Sequence, residues 1–503
     1  MAGRRGRSGV EKKTENPCDL NTNPPDSFTW STQGIISSLM KDRYVQILVL
    51  LTLTGFLLRF SNISFNSLWL DEAVTYHFAS LPYSELWRSL ETGTEFNPPL
   101  FYFLESLMLR FGNSEAILRT IPGLAGTLLI PVFYLLGKEF RDKNSGLICA
   151  TLATFSIFLI YYSQEARAYS LALLFVSLAI LFFFTGYQRN LVSHWVLCGV
   201  FSGLALWTHF YTAIITGVLL FFGLFLIIFD KEEKKEYVKN LGMFLVSFIV
   251  VTLPLIIVTF DLFLKRTAES PTYGLGGIIV LIYAIPALLG GDLLLVGILS
   301  IFFIIGVIWC LFEERKKGIF LLFGIVTILI ISYFVSFKMP FELRFFYIMI
   351  PFLFLGIAYS TRIFCHIFKK RMVVIIMIIG IALVHVPLLI TTHMVYTKEN
   401  WRDFSHEFEK NTNDGDVIIL LPAYLHYPFN YYYNSSMDNT TQFGASNIRE
   451  LEEAVRKNKG KRIYFILTRD ISASEPSGES INWLEQNSSF IGEYTGIYLF
   501  QVD

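Results

Sequence analysis

Five places along the chain set ionisable side chains beside aromatic or apolar runs. Asp71 and Glu72 follow Trp69-Leu70 and precede Tyr76, His77 and Phe78. Glu165 and Arg167 follow Tyr161-Tyr162-Ser163-Gln164, and His209 and Tyr211 sit between two apolar runs. Lys265 and Arg266 form a fourth group; Lys338, Glu342 and Arg344 form a fifth. A carboxylate held near an acceptor group can serve as a general base. Arginine and lysine nearby can stabilise a phosphate leaving group. Together these side chains have the means for group transfer from a phosphate-activated donor. Asp71, Glu72 and Glu165 could share a divalent ion or work without one. A lone histidine such as His209 is more often a structural hydrogen-bonder than a metal ligand. Lys265 and Arg266 read equally well as snorkelling surface cations.

The elements that must position these groups are hydrophobic. The chain has 503 residues, 53% of them hydrophobic and only 16% charged, with 48 Phe. A soluble domain of this length carries more charge. Apolar runs of about 20 residues recur, long enough to cross a bilayer as helices. They do not alternate polar and apolar residues, which argues against a transmembrane barrel. Spans are expected near 44–60, 117–138, 144–162, 168–186, 194–210, 212–229, 240–260, 292–312, 318–336, 343–366 and 372–392, about eleven in all. Residues 276–290 are interrupted by Gly and Pro and read as re-entrant or surface-lying. The short apolar stretch 98–111 reads as lying along the membrane surface.

Basic residues set the orientation. Lys41 and Arg43, after the basic tail, put the N-terminus inside, and the first span then ends outside. Lys138-Arg141-Lys143, Lys231 to Lys235, Arg315-Lys316-Lys317 and Lys369-Lys370-Arg371 mark inner turns. An odd number of spans puts the C-terminus outside. All five chemistry-bearing groups then fall on the outer side, where charge need not cross the hydrocarbon. The organisation expected is a cytoplasmic basic tail over 1–43, a transmembrane domain over 44–394 with a long outer loop at 61–115, and an extracytoplasmic domain over 395–503.

That last segment changes character to soluble type. Asp416 to Leu421, Arg462 to Thr468 and Glu493 to Val502 read as strands. Asn447, with Glu450 three residues on, reads as a helix start, and Ile448, Leu451 and Val455 share one helical face. A small α/β domain follows from this. The balance of 41 basic and 41 acidic residues argues against nucleic-acid binding. The five cysteines, Cys18, Cys149, Cys198, Cys310 and Cys365, avoid the long outer segments and show no metal-type spacing. Possible glycosylation sequons start at Asn62, Asn434 and Asn439 but are common by chance.

Five stretches, in order, resemble membrane glycosyltransferases of the GT-C fold, in the protein O-mannosyltransferase-like and aminoarabinose-transferase-like superfamily (glycosyltransferase family 39-like). They are Ser67-Leu68-Trp69-Leu70-Asp71-Glu72-Ala73, Asn97-Pro98-Pro99-Leu100, Leu118-Arg119-Thr120-Ile121-Pro122, Tyr162-Ser163-Gln164-Glu165-Ala166-Arg167, and Lys398-Glu399-Asn400-Trp401-Arg402 followed by Gly415-Asp416-Val417. The resemblance implies a multi-pass enzyme of the plasma membrane. It would transfer a sugar, with inversion, from a polyprenyl-phosphate donor to a protein, lipid or glycan acceptor at the outer face. It implies Asp71 as catalytic carboxylate and Glu72 as its positioning partner. Arg119 and Arg167 would bind donor phosphate or order the site. Glu165 holds the second-loop acidic position, and Arg344, in Leu343-Arg344-Phe345-Phe346-Tyr347, would face the donor. His209 joins the substrate-binding set by its place in an outer turn. Asn97 stands where relatives carry His or Lys, and Phe96 where one branch has a zinc ligand. Zinc is therefore not carried over, and any metal would rest on Asp71 and Glu165. The competing reading is a lipid or glycolipid transporter or flippase. Such proteins tend to show repeated halves and mid-membrane charge, and no repeat is present here.

Overall fold

The structure, a computed structural model, describes residues 42–502 except 230–233, 269–273, 275, 368–369, 395–396, 434–439 and 470. The basic tail, Cys18, most of the Lys231–Lys235 turn, Lys369 and the sequons at Asn434 and Asn439 lie outside the described residues. The side chains of Lys265, Arg266 and Cys365 also lie outside them.

Among the described residues the chain is predominantly helical from Arg43 to Met394. Helix α1 is Arg43–Phe60. Three short helices then fill the long loop: α2 Leu70–Ser80, α3 Tyr83–Thr92 and α4 Leu100–Met108. Helix α4 is the apolar stretch expected on the surface; nine residues reach about 14 Å, too short to span. The helices that follow are α5 Thr120–Phe140, α6 Lys143–Phe155, α7 Ile157–Ser163, α8 Tyr169–Arg189, α9 Val192–Thr208, α10 Ala213–Phe229 and α11 Lys234–Ala268. After them come α12 Ile278–Leu288, α13 Leu293–Glu313, α14 Arg315–Val335, α15 Ile350–Ile367 and α16 Lys370–Met394. Among the described residues eight helices are long and apolar enough to cross a membrane, or nine if the bent pair α6–α7 is one span. The protein is thus a polytopic membrane protein. Helix α9 and the apolar part of α16, at two further expected positions, are shorter.

Two elements depart from the expected pattern, and a third, α12, lies within the Gly- and Pro-interrupted stretch expected at 276–290. The span expected at 144–162 is broken at Ser156, and its halves meet at 56°. Ser156 leaves the helical region (ψ 117°) and its side chain caps α7 by accepting from Leu159 N. Arg59, fully buried at the end of α1, donates to the carbonyls of Ala153 at 2.7 Å and Thr154 at 3.5 Å. These carbonyls end α6 without onward helix partners, and a guanidinium satisfies them where water is scarce. Helix α11 begins at Lys234, not near 240, because no Gly or Pro interrupts its polar first turns. Helix α12 covers only 11 residues, with Pro286 inside it, about 16 Å of helix and roughly half a bilayer core.

The C-terminal domain is a five-stranded mixed sheet with helices. The strands are β1 Val417–Leu421, β2 Thr441–Gly444, β3 Ile463–Thr468, β4 Ser489–Tyr494 and β5 Ile497–Val502, in the order β2-β1-β3-β5-β4. Strands β1, β2 and β3 run parallel, whereas β5 is antiparallel to β3 and β4. Strands β1 and β3 are buried at every position, so they read as continuous apolar runs. The single strand expected over Glu493 to Val502 is instead part of a hairpin. Thr495 and Gly496 turn the chain with positive φ (21° and 84°). Helix α17 Trp401–Asn411 opens the domain and α18 Ile448–Lys457 crosses from β2 to β3. Asn447 caps α18 through Glu450 N, and the Glu450 carboxylate accepts from Ser446 N in return.

Candidate active site

Helix α2 separates two adjacent acids. Both Asp71 and Glu72 lie in its first turn, where unpaired backbone N–H groups favour negative charge. Neighbouring positions on a helix point about 100° apart, so the two carboxylates meet different surroundings. Glu72 turns inward and is fully buried. Arg119, ending the turn before α5, grips it with Nε and Nη2, each at 2.7 Å. Arg119 also donates to the carbonyls of Ile63, Asn66 and Ser67 at 2.7, 2.8 and 3.1 Å. All five guanidinium donors are used within the protein. Ala166 N donates to Glu72 Oε1 at 2.7 Å, which ties the second loop to the first. Burial raises the Glu72 carboxyl, but Arg119 and Lys398 more than offset this and hold it at about 2.

Asp71 turns to a cavity. Arg344 Nη1 lies 2.9 Å from its Oδ2, and Arg167 Nε lies 3.9 Å away. Burial would raise Asp71, but Arg344, Arg167 and Lys398 hold it below the ordinary carboxylate value. Arg167 also donates to the Asp71 carbonyl at 3.2 Å and to Thr75 Oγ1 at 3.3 Å. Arg344 reaches Glu342 at 2.9 Å and stacks against the rings of Trp69, Tyr169 and Phe345.

Glu165 faces a third cation. Lys398 Nζ lies 2.7 Å from Glu165 Oε1 and 3.6 Å from Glu72 Oε2, over the faces of Trp69 and Tyr161. Lys398 comes from the segment after α16, so the site draws on both ends of the sequence. Gln164 fixes this loop to the end of α1 by donating to the carbonyls of Leu58, Arg59 and Ser61. The C-terminal domain is fastened to the same frame. Ser67 Oγ donates to the Glu399 carbonyl at 2.6 Å, Leu68 N donates to Tyr432 Oη at 2.7 Å, and Tyr432 donates to Glu115 at 2.8 Å.

The cavity has a volume of about 1190 Å³. Its walls bring together Asp71, Asn97, Glu165, Arg167, His209 and Arg344, six of the eight expected site residues. Glu72 and Arg119 are the other two and lie behind the wall. Asn97 is held by Glu95, which accepts its side-chain amide at 2.7 Å and its backbone N–H at 2.6 Å. His209 is buried among the rings of Tyr169, Tyr211, Phe345 and Tyr347. Tyr211 donates to the Pro340 carbonyl. Lys338 is not among the lining residues, although Glu342 and Arg344 are.

Lys398, Trp69 and Tyr161 were not expected as site residues. Lys398 stands in one of the resemblance motifs, but only folding carries it to Glu165. The aromatic groups are lost in a chain with 48 Phe and 25 Tyr. A metal shared by the acids does not suit this arrangement. Asp71, Glu72 and Glu165 each face their own cation, and among the described residues no three His, Cys, Asp or Glu side chains are placed to hold an ion.

Comparison with known proteins agrees with this architecture. Residues 97–258 match the family model described as dolichyl-phosphate-mannose-protein mannosyltransferase. No curated protein matches the chain. Among solved structures, the apo oligosaccharyltransferase of Archaeoglobus fulgidus is 14% identical, with a TM-score of 0.59, covering 92% of this chain and 75% of its own. The same archaeal enzyme, AglB, in complex with an inhibitory peptide and a dolichol-phosphate aligns with a TM-score of 0.58 at 14% identity, covering 92% of this chain and 74% of its own. ArnT from Cupriavidus metallidurans bound to undecaprenyl phosphate is 11% identical, with a TM-score of 0.55, covering 94% of this chain and 98% of its own. The fold of this chain is that of the GT-C membrane proteins.

Proposed function

We propose that this GT-C-fold membrane protein, of the mannosyltransferase-like superfamily, transfers a sugar from a polyprenyl-phosphate donor to an acceptor. The site would open at the outer face of the plasma membrane, with the N-terminus inside and the sheet domain outside. One observation carries the reading: Asp71 lines the large cavity with two arginines, Arg344 and Arg167, against its carboxylate. Glu72 and Glu165, by contrast, are taken up by Arg119 and Lys398.

Asp71 is ionised at neutral pH and can accept a proton. An acceptor hydroxyl bonded to it attacks the anomeric carbon from the face opposite the phosphate. The new C–O bond forms as the bond from carbon to phosphate oxygen breaks, and the hydroxyl proton passes to Asp71. The leaving polyprenyl phosphate takes the electron pair. A single displacement inverts the anomeric centre. Arg344, Arg167 and Lys398 supply positive charge where negative charge develops on the phosphate. Arg119 orders the loop through Glu72, since its own donors are already used. Asn97 adds one amide at the cavity wall.

The test is incubation of the purified protein with polyprenyl-phosphate sugars carrying mannose, glucose, galactose or an amino sugar, with an acceptor mixture, measuring free polyprenyl phosphate. Release from at least one donor is expected. No release from any donor would overturn the reading.

A further inference from the structure

One buried polar group in the cavity wall has no part in the scheme above. His209 lies between α9 and α10, is 4% exposed, and lines the same cavity as Asp71. Its Nδ1 is buried and makes no hydrogen bond among the described residues. Buried ring nitrogens are ordinarily bonded, and one without a partner in a cavity wall marks a place where a ligand group can complete the set. The surroundings specify the ligand. Tyr211 and Phe345 stack at 4.7 Å between centroids and 22° between planes. Tyr169 and Tyr347 close the ring of aromatics, 5.6 Å from the imidazole each. Such a wall offers flat apolar faces to a compact ring and a polar nitrogen to its hydroxyl.

Charge narrows the choice. Burial, and then Arg167 and Arg344, depress His209 to about 3, so the imidazole is neutral across the physiological range. The same two arginines and the same burial act on any cation placed beside it. A neutral hydroxyl meets no such penalty.

Resting on the transferase reading above, we propose that His209 and the aromatic wall of Tyr169, Tyr211 and Phe345 hold the donor's sugar ring. The imidazole exchanges a hydrogen bond with a ring hydroxyl. This corner takes uncharged sugars in preference to sugars bearing an ammonium group.

The experiment compares wild type, His209→Ala and His209→Asn as full-length protein in lipid. It measures kcat/KM for neutral-sugar and amino-sugar polyprenyl-phosphate donors, and inhibition by polyprenyl phosphate, which has the phosphate and no sugar. The wild type is expected to favour the neutral donors. His209→Ala should lower kcat/KM on them by about tenfold, the loss of one ligand hydrogen bond. Inhibition by polyprenyl phosphate and the thermal midpoint should stay unchanged. His209→Asn, which keeps a polar group, should recover part of the loss. An amino-sugar preference in the wild type would overturn the proposal. So would unchanged kcat/KM in His209→Ala, or a loss matched by weaker polyprenyl-phosphate inhibition or by a fall in thermal midpoint. Transfer with a silent His209 refutes this subsite alone. Absence of transfer by the wild type refutes the function and the subsite together.

Discussion

At one end of the helical bundle Arg189 meets Glu139 at 2.5 Å, with half of the arginine side chain exposed, and Arg362 meets Glu313 at 2.9 Å, similarly open. At the other end Glu72 meets Arg119 at 2.7 Å, with 0% and 2% of the side chains exposed. The pairs have similar lengths and different consequences. Exposed pairs are screened by water and salt and contribute little. The buried pair anchors three backbone carbonyls and the N–H of Ala166 as well as two charges. Its value lies in fixing the loop that aims Asp71. One end of this protein carries solvent-screened surface pairs; the other gathers buried charge around a cavity.

Breaking that contrast should have its largest effect at Glu72. Glu72→Ala leaves Arg119 buried without its counter-charge, and should destabilise the protein by about 3–5 kcal/mol and abolish transfer. Thermal unfolding in lipid or detergent measures the first effect. A loss under about 1 kcal/mol would mean that the buried pair behaves like an exposed one.

Acid should separate the two ends more gradually. Glu72 has a folded value of about 2 against an ordinary 4.5. Its stabilising contribution is therefore complete above about 4.5 and is lost as pH falls towards about 2. Asp71 is also depressed, so transfer should persist as pH falls into the ordinary carboxylate range and fail only below it. A pH–rate profile, with stability measured in parallel, checks both signs. An activity loss centred above the usual Asp value would contradict the assignment.

The exposed end should be tolerant. Arg189→Ala is expected to change stability by at most about 1 kcal/mol, and less at high salt. A salt-independent loss of several kcal/mol would erase the contrast.

The smallest effect is expected at a different acid on the site side. Glu105 of α4 is fully buried and neither carboxylate oxygen has a hydrogen-bond partner among the described residues. Burial, then Glu72, raises it well above the ordinary range, which favours the neutral acid. Glu105→Gln replaces a neutral acid by a neutral amide of similar shape and should shift stability by about 0.5 kcal/mol or less. The same change at Glu72 removes a charge that Arg119 needs. Equal effects at the two positions would show that the pairing with Arg119 does not distinguish them.

Much of this was legible in the residues. Apolar runs of bilayer length located the helices, and the turns at their ends marked where Asp71, Glu165, Arg167, His209 and Arg344 gather. The Asn447–Glu450 cap was readable because capping is local. What escaped depends on contacts distant in sequence. The break at Ser156 sits inside an apolar run and is completed by Arg59 from another helix. Lys398 lies 233 residues from Glu165 in sequence and meets it only in the folded chain. The division of labour between Asp71 and Glu72 is invisible in a two-letter motif, because it arises from the turn of the helix and from Arg119 behind it. The hairpin at Thr495-Gly496 is hidden in the sequence because the residues on either side have the same strand-like character.

Asp71→Asn keeps the shape of the side chain and removes the proton acceptor. Release of polyprenyl phosphate from a donor used by the wild type is the measurement. Release should fall by about 10²–10⁴-fold, while the thermal midpoint stays within a few degrees of wild type. Release near the wild-type rate by a folded Asp71→Asn protein would contradict the assignment of Asp71 as the group that takes the acceptor's proton.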